Sequence, residues 1–527
     1  MTITIDARQC GGGKTTHPLN GIYAKINKNL STNTKTIVVL GSKALQYQYR
    51  KKFNSMTIIN DECSNESVIK DITNAMKNDA GLLGITHQAF MLLEYTDIRS
   101  QYDLIIDEAI SGLIEEHKIS LTSNKFVDFK WTEHFELNYQ PTDIPFEKLL
   151  EQFEEYKQEE ISKLDDKEDK EEIEKLNNLK MKFDREEFYS VCFKGGEDHN
   201  TMLSDLYRKL TSRNRDYYTS LYDYNIMLGN DTRQKTFNMY SVFNSRLFTG
   251  WKSIHIAAAA FHKTQLYHIF KYNNIEFTYI QKFAKHKGNI KLHIVSNTYN
   301  VNGKYKSMSW SNYKRTKHPE ILQSYHNYVN GITNGNKVLS LRNLSEKTTL
   351  ANEIKLGHSV HGINNEEWQQ VTNVSMESAL RPSNQLISFI KRVVLDQSLA
   401  DNQMDLIITD MFCSYLFYQA IMRCKLRSLE YVQLANSNQY NSLDVINIFT
   451  LDNNVALNLY DYFEIIIDEV QTFEVEWNRP KPLDKSEQNK LAYDKKKSKS
   501  QEIILDKKPP LTNAERQRLH RERNKKQ

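Results

Sequence analysis

Thr2–Ile5 (TITI) leads within a few residues into Cys10-Gly11-Gly12-Gly13-Lys14-Thr15-Thr16, and the reading of this stretch decides the fold. A short β-type run that ends in a glycine turn and precedes a helix-compatible segment is the setting of a phosphate loop. A phosphate chain needs backbone N–H groups with no Cβ in the way, a cation on its outer phosphates and a hydroxyl on Mg²⁺. Gly11, Gly12, Gly13, Lys14, Thr15 and Thr16 supply these, with Thr15 as the metal-side hydroxyl. Arg8 stands where the longer G-x-x-x-x-G-K-[ST] form has its first glycine, so the shorter G-x-G-K-T form is the one that is met.

Working outward, Thr36–Leu40 (TIVVL), Gly81–Ile85 (GLLGI) and Tyr102–Ile106 (YDLII) are further apolar runs separated by polar, helix-compatible segments. That alternation predicts a parallel sheet with crossover helices. The third run ends in Asp107-Glu108. A buried strand ending in two carboxylates places one to hold Mg²⁺, Asp107, and the next to polarise an attacking water, Glu108. A similar run at Glu464–Glu469 follows no second glycine loop and reads as a strand end in a second domain. His255, His262 and His268 have no matching acid or cysteine set and read as core or surface residues.

The chain has 527 residues and a formal net charge of +4, a near-neutral total that hides two specialised segments. Glu147–Glu187 holds 16 acidic and 9 basic residues, whereas Asn478–Gln527 holds 16 basic and 7 acidic. With 39% hydrophobic residues there is enough apolar material for several cores, which excludes global disorder. Five scattered cysteines without a C-x-x-C pair exclude a disulfide framework and a cysteine zinc site, and fit a reducing cytoplasm. The N-terminus lacks the pattern of a signal peptide, and Asp405, Asp410 and Gln419 break the most apolar stretch, so neither a leader nor a membrane span is expected.

Strand signals return at Ser253–Ile256, Lys291–Val295, Lys337–Leu341, Val371–Ser375 and Leu406–Thr409. The expected organisation is α/β: two tandem domains, the first built from residues 1–130 and 250–285 and the second from 286–477. Residues 131–249 are expected to be an inserted helical region whose acidic hairpin spans 146–187, from the helical spacing of Phe146, Leu149, Leu150, Phe153 and Tyr156. Residues 478–527 hold four of the nine prolines and read as a basic flexible tail, with a short terminal helix capped by Thr512 and Glu515.

The order of segments resembles a superfamily 2 helicase of the DEAD/DEAH-like class, closest to the helicase-like replication and origin-binding proteins of large bacteriophages. Val38–Leu45 resembles the Ia segment, Ile85–Phe90 the following strand-end segment, His361-Gly362-Ile363-Asn364 the core of motif V, and Tyr418–Arg427 the Q-x-x-G-R-x-x-R form of motif VI. The resemblance covers roughly residues 1–130 and 250–450. It implies two tandem RecA-like P-loop domains with ATP between them, Gln419 and an arginine finger, Arg423 with Arg427 as second arginine, on the γ-phosphate, and a nucleic-acid strand crossing Ser42, Thr86 and His361. Motif III is represented by Ala257–Ala260, without the usual hydroxyls.

The activity this implies is ATP-dependent movement on, or unwinding of, DNA in phage replication. The alternatives are an origin-binding ATPase with little unwinding, and an assembly factor that docks a replication protein on its acidic insert. In the tail, Arg516, Arg518, Arg521 and Arg523 have the density of a phosphate-contacting arm. Removing residues 478–527 is expected to weaken DNA binding and flatten its salt dependence while basal ATP hydrolysis persists, and an unchanged slope of log affinity against log salt would show that the tail makes no phosphate contacts.

Overall fold

The computed structural model describes residues 2–64, 67–120, 135–138, 155, 158–163, 173, 188–193, 212–227, 236–295, 299–301, 304–306, 319–342, 349–356, 366–378, 380–437, 439, 442–465 and 469–473. Residues 1–475 form one compact unit and 476–527 a second, which lies outside the described residues.

The first strands are β1 Thr2–Asp6, β2 Thr36–Leu40, β3 Thr57–Ile59, β4 Leu82–Thr86 and β5 Asp103–Asp107. The chain then leaves through β6 Ile114–Ser120, β7 Phe135–Asn138, β8 Phe188–Phe193, β9 Arg215–Ser220 and β10 Thr236–Phe243, and returns as β11 Ser253–Ala257 and β12 Thr278–Gln281. Strands β1–β5 with β11 and β12 make a seven-stranded sheet in the order β12-β1-β11-β5-β2-β4-β3, parallel throughout. Every residue of β2 and β5 is buried, as expected of a parallel sheet covered on both faces. One cover is the pair of helices Ile22–Ser31 and Lys43–Lys52, whose Ile22, Ile26, Leu45 and Tyr49 pack on Val38, Leu40 and Ile105.

The second lobe begins with β13 His286–Gly288 and β14 Ile290–Val295, followed by a small hairpin, β15 Tyr299–Val301 and β16 Lys304–Lys306. Strands β17 Val338–Leu341, β18 Glu353–Leu356, β19 Asn373–Met376 and β20 Ile446–Thr450 come next. The last two are β21 Phe463–Ile465 and β22 Glu469–Phe473. A six-stranded parallel sheet runs β18-β17-β19-β20-β14-β22. Two parallel sheets, with the phosphate-loop strand β1 and the carboxylate strand β5 separated only by β11, give the tandem RecA-like α/β architecture.

Two expectations are corrected. Among the described residues, the insert is mainly antiparallel sheet, joined to β6 in the order β6-β10-β9-β8-β7, rather than the expected helical region. Its strands FYSVCF, RDYYTS and TFNMYSVF are rich in the aromatic and β-branched residues that suit a pleated surface, and the charge of the neighbouring block masked them. Of the acidic block itself, residues 158–162 are helical and most of the rest lies outside the described residues. Leu406–Thr409 is not a strand but the end of the helix Asp401–Thr409. Met404, Ile408, Met411 and Tyr415 are buried at helical spacing while Leu406 is 40% exposed, which a buried strand would not allow. The helix continues through a π-helical turn, Asp410–Ser414, into the helix Tyr415–Ile421. The sequence reading also passed over β20, a central strand of the second sheet.

Arg99 fastens the return of the insert to the first sheet. It is fully buried, and its guanidinium donates to the carbonyls of Leu93 (2.6 Å), Arg246 (3.1 Å) and Leu247 (3.2 Å) while stacking 4.8 Å from the Trp251 ring. Burial lowers its pKa to about 10, so it stays charged at neutral pH. Replacing it with Met strips these carbonyls of a charged donor. Arg99→Met is expected to lower stability by about 3 kcal/mol, read from urea unfolding, and an unchanged midpoint would show that the carbonyls find other donors.

Candidate nucleotide site

The three strand ends β1, β11 and β5 are in register: Asp6 lies opposite Ala257, and Ala257 opposite Asp107. The loop after β1 and the carboxylates after β5 therefore emerge side by side. Gly11 and Gly13 take φ of +77° and +79°, a left-handed backbone that glycine adopts without cost. Gly12 donates to the Gln9 carbonyl (3.1 Å), and the Lys14 ammonium lies 3.0 and 3.1 Å from the carbonyls of Arg8 and Gln9. Arg8 itself pairs with the buried Asp6 through its Nε and Nη2.

An interrupted helix comes directly after the loop. His17 N–H bonds the Gly13 carbonyl as in a helical turn (2.8 Å). The next donor in that ladder would be residue 18, but Pro18 has no N–H. Instead Ile22 and Tyr23 donate to the carbonyls of Lys14 (2.8 Å) and Thr15 (3.0 Å), so residues 18–21 loop out and the ladder resumes beyond them. Gly21 closes the excursion: a Cβ there would lie 2.6 Å from the His17 nitrogen and 2.8 Å from its oxygen.

Asp107 is 5% exposed, and its Oδ2 accepts from the Tyr49 hydroxyl at 2.6 Å. Thr15 opposes the rise in the Tyr49 pKa, which puts this one phenol beside both residues expected on the metal side. Burial first, then the Asp107 charge, hold the Tyr49 pKa well above its ordinary value, so it remains a donor. Sequence reasoning missed Tyr49. The signal was its place four residues after Leu45 on the buried face of Lys43–Lys52. A hydroxyl and a carboxylate form a small, hard-oxygen set that suits Mg²⁺, which takes few protein ligands and fills its shell with water and phosphate oxygens. Glu108 stands at φ +75°, uncommon for a side chain with a Cβ, and its N–H bonds the Ala257 carbonyl (3.0 Å).

The second lobe closes the site. Tyr418 hydroxyl accepts the Cys10 N–H (3.0 Å) and lies 3.0 Å from His286 Nε2. Burial, with the Lys14 charge adding, pushes the His286 pKa down to about 3, so the ring is neutral. Gln419 is 2% exposed, with Oε1 3.5 Å from the Cys10 sulfur and Nε2 donating to Tyr415 (3.1 Å). Arg423 Nη2 is 3.9 Å from Glu108 Oε1, and burial lowers the guanidinium pKa while Glu108 opposes the shift. The Arg427 stem lies 3.5 Å from where a Gly11 Cβ would be. Gly11, Gly13, Lys14, Thr15, Thr16, Asp107, Glu108, Gln419, Arg423 and Arg427 thus line one cavity of about 250 Å³, together with Cys10, Tyr23 and Gln48.

Residues expected on nucleic acid are less gathered. Ser42 and Thr86 are both helix N-caps, accepting from Leu45 N–H and Ala89 N–H at 3.2 Å each. His361 and the tail arginines Arg516, Arg518, Arg521 and Arg523 lie outside the described residues. His255 is a core residue beside Thr4, its pKa lowered to about 4 by burial. Among the described residues no group of three or more His, Cys, Asp or Glu could hold a metal ion, and no helix is long and apolar enough to cross a membrane.

No protein-family profile matches the chain, and no curated protein matches it. Among solved structures it is similar to one titled "Structure of S. tokodaii Xpd4", at 13% identity and a TM-score of 0.41, over 90% of this chain and 96% of that one.

Tyr49→Phe removes the hydroxyl that holds Asp107 while keeping the ring. It is expected to raise the Mg²⁺ concentration needed for half-maximal nucleotide hydrolysis about tenfold, with little change in melting temperature. An unchanged Mg²⁺ dependence would show that Asp107 is positioned without it.

Proposed function

We infer that this protein is an ATP-dependent nucleic-acid motor of superfamily 2 type, a helicase or translocase acting on DNA. The observation that carries the reading is the single cavity lined from one lobe by Lys14, Thr15, Asp107 and Glu108 and from the other by Gln419, Arg423 and Arg427. A site split between two lobes makes hydrolysis depend on how they close, which is what a motor requires. The backbone of Gly11–Thr16 and the Lys14 ammonium bind the phosphates of ATP. Thr15 and Asp107 would hold Mg²⁺, which supplies charge neutralisation between the outer phosphates when bound.

Glu108 orients the attacking water and takes its proton as the oxygen bonds phosphorus and the bond to ADP breaks. Arg423, brought in by the second lobe, stabilises the negative charge spread over the transferred phosphoryl oxygens, and Gln419 positions the water or the γ-phosphate. Phage replication as the setting, the acidic block 147–187 as a docking surface for a replication protein, and a cytoplasmic location belong to the same reading.

A second reading, an origin-binding ATPase that switches its grip on DNA with little unwinding, is favoured by Ala257–Ala260, where buried methyl groups stand in place of coupling hydroxyls. Strand displacement that tracks ATP turnover supports the motor; ATPase with sequence-selective binding and no displacement supports the switch.

Lys14→Ala and Arg423→Ala separate binding from chemistry. Lys14→Ala is expected to weaken ATP binding and abolish hydrolysis, whereas Arg423→Ala is expected to retain binding and lower kcat by about 10³-fold or more. Undiminished turnover in the Lys14 variant would overturn the assignment.

A further inference from the structure

The segment after Ala257–Ala260 reaches across to the second lobe by charge. Ala260 sits in the left-handed region at φ +47°, and Lys263 N–H bonds its carbonyl (2.8 Å), which turns the chain so that Lys263 faces the other lobe. The Lys263 ammonium lies 2.8 Å from Asp410 Oδ2 and 2.5 Å from Asp461 Oδ2. Asp410 also accepts from the Tyr462 hydroxyl at 3.3 Å. Tyr462 stacks on Tyr418 with centroids 4.7 Å apart and planes 21° from parallel. Tyr418 holds the Cys10 N–H of the phosphate loop.

These contacts form a continuous path. From Glu108 it runs through its N–H bond to Ala257, along the chain to Lys263, across to Asp410, through Tyr462 and Tyr418, and back to the phosphate loop at Cys10. Asp410 opens the π-helical turn that leads directly into the helix carrying Gln419, so a pull on Asp410 acts on the root of that helix. The Asp410 side chain is 4% exposed, and burial pushes its pKa up to about 6 against the pull of Lys263, a sign that the carboxylate is strongly desolvated and depends on its partner. Asp461 is half exposed and adds a weaker, screened contact.

We propose that Lys263 is a coupling residue: its ion pair with Asp410 transmits the state of the nucleotide site to the placement of the second lobe, in the role left open by the alanines that precede it. The proposal rests on the reading of the cleft as an ATP site. Lys263 touches neither the cavity lining nor the expected path of the phosphates, so it acts through the helix it holds.

The test uses the full chain with Lys263→Met, Asp410→Asn and the double variant, in which no buried charge is left unmatched. Three quantities are read: basal ATP hydrolysis, its stimulation by single-stranded DNA, and the change on adding a non-hydrolysable ATP analogue in the distance between fluorophores at positions 52 and 457. Basal hydrolysis is expected to stay within about twofold, while stimulation falls about tenfold and the distance change is lost in all three variants.

Stimulation and distance change that persist in Lys263→Met overturn the proposal, as does a wild type whose distance ignores the analogue. A double variant that melts early or loses basal hydrolysis overturns it too, because the pair is then structural. A wild type that hydrolyses ATP but responds to no nucleic acid sinks the motor reading instead, and the distance measurement still decides the role of Lys263.

Discussion

The whole site depends on a register. Because β1, β11 and β5 are parallel and their last residues, Asp6, Ala257 and Asp107, stand abreast, the phosphate loop and both carboxylates leave the sheet on the same side at the same height. Side chains alternate faces along a strand, so a slip of one residue in β5 would turn Asp107 away from the loop. The register of β5 is pinned at its other end by Asp103, which accepts from Asn29 Nδ2 (3.1 Å) and the Ser253 hydroxyl (2.7 Å). A buried polar contact at one end of the strand thus helps align the chemistry at the other.

The second lobe is held at three places rather than one. Tyr418 and Gln419 meet the phosphate loop, Lys263 grips Asp410, and the insert reaches over to the far side. There Phe389 stacks on Tyr240 at 4.8 Å, with Phe188 and Tyr218 against its edges, and Ser383 donates to Glu116 at 2.6 Å. Since β5 and β11 are neighbours in the sheet, the insert is rooted between the carboxylate strand and the strand that leads to Lys263. A movement of the second lobe is felt at both roots.

The parts of the fold legible in the sequence are those whose signal is local. A glycine loop after a strand, a carboxylate pair after a strand and short apolar runs announce themselves within ten residues, and the arginines of Tyr418–Arg427 stand out only through their resemblance to a known motif. The features that stayed hidden depend on partners far along the chain. Tyr49 acquires its role only when Asp107 is brought beneath it, and Lys263 only when Asp410 is brought opposite. The Leu406–Thr409 run is four residues long and carries no period of its own, so the helix around it shows only through the burial of Met404, Ile408 and Met411. In the insert, the helical spacing of Phe146–Tyr156 stood for the whole region, although the strands that follow it are rich in aromatic and β-branched residues.

The excursion at residues 18–21 separates two things usually taken together, the path of the covalent chain and the path of the hydrogen-bond ladder. The ladder skips from Thr15 to Tyr23, the excursion is itself closed by the Gly21 N–H on the His17 carbonyl (3.0 Å), and Leu19 stands at the tip, 86% exposed. The helix is therefore tied to the two ends of the excursion, His17 and Gly21, and not to its tip. The Leu19 side chain, outside those bonds, is a natural attachment point beside the glycine loop for a grafted reporter.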